Sequence, residues 1–167
     1  GKPATAADFF DTAKFPGKRG LPKNPKRTLY LALIADGVAP DAIYETLDTP
    51  EGVDRAFAKL DTIKKDVVWW EAGAQPVQLL ADGEVTMATG YNGRFFDAMV
   101  AEGKPFEIIW DGQYMDLDMF AIPKGSPNPE AAMQYLKYAT DTQRLADQAK
   151  YIAYGPSRKS SAALVGL

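Results

Sequence analysis

Short runs of β-branched and aromatic residues alternate along this chain with segments of helical period, and that alternation limits the fold more than any other feature. The clearest strand signal is Val67-Val68-Trp69-Trp70-Glu71-Ala72, because such side chains pack well on a pleated surface. Val85–Tyr91, FEIIW (106–110) and LDMFAIP (117–123) read as further strands, the last closed by Pro123. Helix signals lie between them. Arg27 to Asp36 places Leu29, Leu33 and Ile34 on one face, with Gly37 suited to the left-handed position past the end. Thr49 is a good N-cap, Pro50 fits the first helical position and Glu51 complements the dipole. Val53, Phe57, Leu60 and Ile63 continue that helix at spacings of three and four. Further helices are expected over 75–82, from Gly93 to Glu102, from Asn128-Pro129-Glu130 through Ala139, and from an Asp141 cap to near Lys150. The pattern predicts an α/β fold with a largely parallel or mixed sheet. The first 26 residues and the last 13 carry little periodic signal, and KFPGKRGLPKNPK (14–26) reads as a connecting loop. A compact domain rarely needs both ends that irregular, so these stretches are expected to be crossing segments that belong beside something outside the sequence.

Composition removes several classes of function. The 167 residues hold 19 Lys+Arg against 22 Asp+Glu and contain neither His nor Cys. A Ser-His-Asp or Cys-His nucleophile, thiolate redox chemistry and a conventional structural zinc site are therefore excluded. Catalysis would have to rest on carboxylates, Lys, Tyr or an oxygen-bound metal. The mild acidity argues against nucleic acid as a main partner, and absence of cysteine fits an oxidising compartment without requiring one. No apolar run approaches the roughly 20 residues of a membrane span. GKPATAADFF lacks the continuous apolar core of a signal peptide, so either a mature chain begins here or the sequence is a cut-out piece.

Four stretches could carry chemistry. Asp116 and Asp118, two apart on an expected strand, would point to the same side while Leu117 faces away. Two such carboxylates make a cation site for an ammonium group or a metal, an acid/base pair, or simply a solvated strand end. Gly90-Tyr91-Asn92-Gly93-Arg94 joins a strand to a helix, where ligands gather in open α/β sheets. Tyr91 offers a stacking face there. Arg94, disfavoured by the dipole in a first turn, either meets an outside carboxylate or is a plain surface arginine. Alternation puts one of Trp69 and Trp70 in the core and the other on the opposite face, although packing roles for both are the commoner outcome. Tyr151-Ile152-Ala153-Tyr154-Gly155-Pro156 places aromatics before a Gly-Pro turn, usually as packing residues. KFPGKRG lacks the Gly-Lys-Ser/Thr ending of a phosphate loop.

Taken in order, these stretches resemble the extracytoplasmic solute-binding proteins of ABC importers, specifically the spermidine/putrescine-binding family. Asp8-Phe9-Phe10-Asp11 with KFPGKRG is similar to the segment after the first hinge of that family. Gly83-Glu84-Val85 running into Tyr91-Asn92-Gly93 is similar to its Gly-Glu-Val…Trp-Asn-Gly, Asp118 with Ala121-Ile122-Pro123 to its Trp-x-Asp…Ala-Ile-Pro, and Ile152-Ala153-Tyr154-Gly155 to its Ile-Gly-Tyr turn. The resemblance implies a periplasmic-binding-protein-like (type II) lobe, with a mixed sheet flanked by helices, and a periplasmic location. Residues 1–115 would form most of the second of two lobes, 116–152 would cross towards the first, and 153–167 would return. The family's first hundred or so residues and a C-terminal stretch would be absent, and with them half of the ligand cleft.

By the same resemblance Asp118 falls on an ammonium-binding aspartate, Tyr91 on a tryptophan that packs along the ligand, and Tyr154 on a cleft tyrosine. Asp116 stands where the family has Trp, adding a carboxylate and removing a stacking face, and Lys23–Thr28 is basic where polyamine binders place acids, with Arg27 near one of those positions. A diamine needs an anion at both ends. Arg27 or Arg94 opposite Asp116 and Asp118 instead suits a ligand with ammonium at one end and carboxylate at the other. The expected ligand is a short ω-amino acid such as γ-aminobutyrate, with putrescine or spermidine second. The expected ligand-binding set is Asp118, Tyr91, Arg94, Asp116, Arg27, Trp70 and Tyr154, with no cofactor, no metal and no catalytic residue. The implied partner is an ABC permease in the inner membrane, and the chain is expected to associate with a second copy to cover its apolar face. A carboxylate hydrolase built on Asp116 and Asp118 is the rival, but such enzymes place their carboxyls on two sides of a bond, roughly 5–9.5 Å apart.

Overall fold

The computed structural model describes residues 1–166 and divides them into two compact units, Gly1–Tyr114 and the chain from Met115 onward. The first unit opens with α1 (Ala6–Phe10), started by a reciprocal capping box. Thr5 accepts from the Asp8 amide, and the Asp8 carboxylate accepts from the Thr5 and Ala4 amides. The chain then enters β1 (Arg19–Pro22), buried at every position, and α2 (Pro25–Ala35). A short 3₁₀ turn at Pro40–Ala42 precedes α3 (Ile43–Leu47) and α4 (Pro50–Asp61). Thr49 caps α4 by accepting from the Gly52 amide at 3.1 Å, as its sequence predicts. After β2 (Val67–Trp70) come α5 (Gln75–Ala81), β3 (Met87–Ala88) and α6 (Asn92–Val100).

The three strands pair in the order β2-β1-β3, all parallel. Arg19 stands opposite both Val67 and Met87, and Gly20 opposite Val68 and Ala88. Parallel pairing of neighbours in sequence demands a crossover, and α2–α4 and α5 supply it. Leu21, Ala32, Leu33, Ile43, Ala56 and Ile63 form the core beside Phe9 and Phe10. The α/β class stands, and the sheet takes the parallel form of the expectation.

Several local expectations fail. The segment read as a loop, 14–26, carries the central strand β1, and the irregular N-terminal stretch also holds α1. One residue explains the ordering. Arg19 is fully buried, and its guanidinium donates to the carbonyls of Phe9 (2.6 Å), Gly17 (2.7 Å) and Phe15 (2.6 Å) and to Thr86 Oγ1 (3.1 Å), stapling the loop to the sheet. The strand expected over Val85–Tyr91 shrinks to Met87–Ala88. Neither 106–110 nor 117–123 is a strand. Residues 104–114 instead run back over the unit: Phe106 meets Phe95 edge-on, and Asp111 accepts from the Ala6 amide at 2.7 Å. A β-prone run becomes a strand only when a neighbouring strand accepts its ladder bonds.

The second unit contains, among the described residues, α7 (Pro129–Ala139), α8 (Thr142–Gln148) and α9 (Lys159–Ala162). Asp141 caps α8 as expected, whereas Asn128 makes no side-chain cap to α7. Buried Ser161 donates to the Thr142 carbonyl at 2.7 Å and Arg158 to the Thr140 carbonyl at 3.0 Å, joining α9 to α8. No helix among the described residues is long and apolar enough to cross a membrane. Leu167, the last residue of the expected 153–167 return segment, lies outside the described residues.

Candidate functional site

β1 lies at the centre of the sheet, and the connections on either side of it leave in opposite directions, to β2 on one flank and past β2 to β3 on the other. In open α/β sheets this is where the carboxyl ends of strands part and leave a crevice. Here the crevice is a cavity of about 320 Å³ lined by Pro22, Lys23, Asn24, Arg27, Trp70, Glu71 and Tyr91. Pro22, Lys23, Asn24, Trp70 and Glu71 stand at or just past the carboxyl ends of β1 and β2, Tyr91 follows β3, and Arg27 lies in the first turn of α2.

Local chemistry sets each side chain. The Lys23 amide donates to the Trp70 carbonyl at 2.8 Å, carrying the β1–β2 pairing one residue further. Asn24 then caps α2 by accepting from the Lys26 amide at 3.0 Å, Pro25 occupies the first turn, and the Thr28 hydroxyl donates to the Pro22 carbonyl at 3.0 Å. This tight turn brings Arg27 to the mouth of the crevice. Past β2, the Glu71 and Ala72 amides both donate to Gln75 Oε1 at 2.7 Å. Those two amides therefore already have an acceptor. Past β3, Gly90 lets Phe95 and Pro76 close in, since a Cβ there would stand 2.7 Å from the Phe95 ring. Tyr91 follows as the residue preceding α6.

The wall so formed is aromatic and cationic. Arg27 Nη1 donates to the Tyr91 hydroxyl oxygen at 2.7 Å, and the guanidinium carbon lies 4.8 Å from the ring centroid, a cation–π distance. Trp70 meets the same ring edge-on, with centroids 6.3 Å apart. Trp70 is only 3% exposed and its Nε1 has no hydrogen-bond partner among the described residues, while Tyr91 is 36% exposed. Lys23 and Glu71 form an exposed ion pair at 3.2 Å. Arg27 adds to this wall a planar fork of the kind that suits a carboxylate.

The fold thus brings Arg27, Trp70 and Tyr91 together. Arg94 does not line the crevice but lies next to it, where a Cβ on Gly73 would stand 3.4 Å from Arg94 Nε. Of the two tryptophans, Trp70 is buried and Trp69 is 47% exposed, the alternation expected of a strand. Asp116, Asp118 and Tyr154 belong to the second unit. Asp118 is exposed, Tyr154 half-buried, and Asp116 accepts from the Leu117 amide at 3.2 Å. With no strand at 117–123, the pleat expected to hold both carboxylates on one side is absent. No group of three or more acidic side chains suited to a metal occurs among the described residues. Asn24 was missed as a site residue, although Asn24-Pro25 carries the same start signal that marks Thr49-Pro50.

The crevice at the switch point of this parallel sheet is walled by an arginine set against aromatic rings. The chain belongs to the bacterial extracellular solute-binding proteins, whose family pattern matches residues 2–166. It is 47% identical over 163 residues to a γ-aminobutyric acid-binding protein of Pseudomonas aeruginosa, covering 98% of this chain and 46% of that protein. Among solved structures, the Atu4243 GABA receptor superposes with a TM-score of 0.78 at 39% identity, over 99% of this chain and 50% of that one. The binding protein MotA of Agrobacterium tumefaciens B6, solved with glucopine, gives a TM-score of 0.82 at 36% identity, over 98% of this chain and 50% of that one. The chain therefore spans about half the length of the relatives it matches.

Proposed function

We propose that this chain is the greater part of one lobe of an ABC-importer receptor that captures a short ω-amino acid, γ-aminobutyrate being the best fit, outside the bacterial inner membrane. The observation that carries this reading is the Arg27 guanidinium, held on Tyr91 at the crevice where all three strands end. It supplies a planar partner for a carboxylate, and the 47% identity to a γ-aminobutyric acid-binding protein points to the same ligand class. Trp70 and Tyr91 give apolar cover to the methylenes between the charged ends. Asp118, with Asp116, would take the ammonium group.

In this reading residues 1–115 form the second lobe, 116–152 cross towards the first and 153–167 return; the division of the structure after Tyr114 supports the first boundary. No bond is made or broken. A ligand touching both lobes stabilises the closed form, and a permease in the inner membrane recognises that form. Calorimetric titration of the complete protein tests the ligand class. Heat with γ-aminobutyrate and none with putrescine supports the proposal, whereas heat with putrescine alone would overturn it and leave the arginines bystanders.

A further inference from the structure

Tyr91 is held between two other residues of the crevice wall and the loop behind it. Its hydroxyl oxygen accepts from Arg27 Nη1 at 2.7 Å, its ring lies 4.8 Å from the guanidinium carbon, and Trp70 meets it edge-on. Its remaining edge is bounded by Gly73, where a Cβ would stand 2.8 Å from Tyr91 Cε2 and 3.1 Å from Cδ2. That approach is too close for any residue but glycine unless the ring or the loop between β2 and α5 shifts. A guanidinium set over a ring and hydrogen-bonded to that ring's own hydroxyl is restrained in position and orientation. Bidentate recognition of a carboxylate depends on that orientation, and a point charge on a flexible stem does not supply it.

We infer that Tyr91, backed by Gly73, is a positioning residue that sets the Arg27 guanidinium for the ligand's carboxylate, and so determines the preference of the crevice for carboxylate-bearing over purely cationic solutes. This rests on the solute-site reading above. It gives Tyr91 a role that acts through Arg27, in addition to the stacking face expected of an aromatic there.

The test is a double-mutant cycle on the complete protein, titrated calorimetrically with γ-aminobutyrate. Tyr91→Phe keeps the ring and removes the tether. It should weaken binding about tenfold in the wild-type background, but less than about twofold in an Arg27→Lys background, where the fork is already gone. The melting temperature without ligand should stay within about 2 °C of wild type. Gly73→Ala should weaken binding in the same direction; should that variant fail to fold, the cycle decides alone. An unchanged affinity in Tyr91→Phe overturns the inference and leaves Tyr91 a stacking face. An equal loss in both backgrounds also overturns it, because the hydroxyl would then meet the ligand directly. Absence of γ-aminobutyrate binding by the wild type overturns the underlying reading, and this inference with it.

Discussion

Arg19 and Asp8 show how much of the N-terminal order rests on single polar side chains. Arg19 ties three carbonyls and a hydroxyl to β1 from a fully buried position, and burial holds its guanidinium below the ordinary arginine pKa. Arg19→Met would remove these donors, among them the partner of the buried Phe9 carbonyl. It should cost on the order of 3 kcal/mol, read as a lower urea midpoint with an unchanged slope. Asp8 carries a different consequence. Hydrogen bonds from the Ala4 amide, the Lys14 ammonium and Thr5 hold its carboxyl at about 2, well below the usual carboxylate value. Its folded pKa is depressed, so the stability it contributes is present above the unfolded value of about 4. That contribution is lost as pH falls towards 2. Melting temperature followed from pH 5 to pH 2 should fall less steeply in Asp8→Asn than in wild type.

At the scale of elements, the helices follow their start signals while the strands depend on partners. Thr49-Pro50-Glu51 and Asp141 produce helices where they stand, because capping and propensity act within a few residues. The same chemistry at Asn24-Pro25 turns the chain straight out of β1 and so delivers Arg27 to the crevice. FEIIW and LDMFAIP have strand composition without a described neighbour to pair with, and take no regular secondary structure. Packing between elements also imposes a demand that local pattern does not reveal. Gly52, in the first turn of α4, lies so close to the Thr46 carbonyl of α3 that a Cβ would overlap its oxygen. Gly52→Ala, mild in an isolated helix, should here destabilise by about 2–4 kcal/mol in thermal or chemical unfolding, since the two helices must separate.

On the whole-molecule scale, the second unit is rich in exposed apolar side chains. Met119 is 88% exposed, and Leu117, Phe120, Tyr135 and Tyr138 are all more than half exposed. Where such side chains adjoin, as Phe120 and Tyr135 do edge-on, apolar exposure usually marks a surface that something covers. In the receptor reading a ligand needs charge-assisted contacts on both sides, each worth about 1.5–3 kcal/mol. The chain by itself should therefore bind γ-aminobutyrate at least about a hundredfold more weakly than a form extended to the length of its relatives. Thermal shift of both forms across a ligand series checks this, because a ligand that binds only the native state raises the melting temperature in proportion to the logarithm of concentration over Kd. Equal shifts in the two forms would place all the needed contacts within these residues.

What the sequence by itself determined was local. It settled the α/β class, the helix starts at Thr49 and Asp141, the VVWW strand, and the candidacy of Tyr91 at a strand-to-helix junction. Each is decided by side-chain period, capping and backbone preference within a few residues. Only the tertiary structure decided that the basic stretch before α2 holds the central strand, and that Arg27, Trp70 and Tyr91 share one wall. Those facts depend on residues tens of positions apart. Pairing Leu21 with Trp69, and burying Arg19 among carbonyls from another segment, are gains that no local pattern can register.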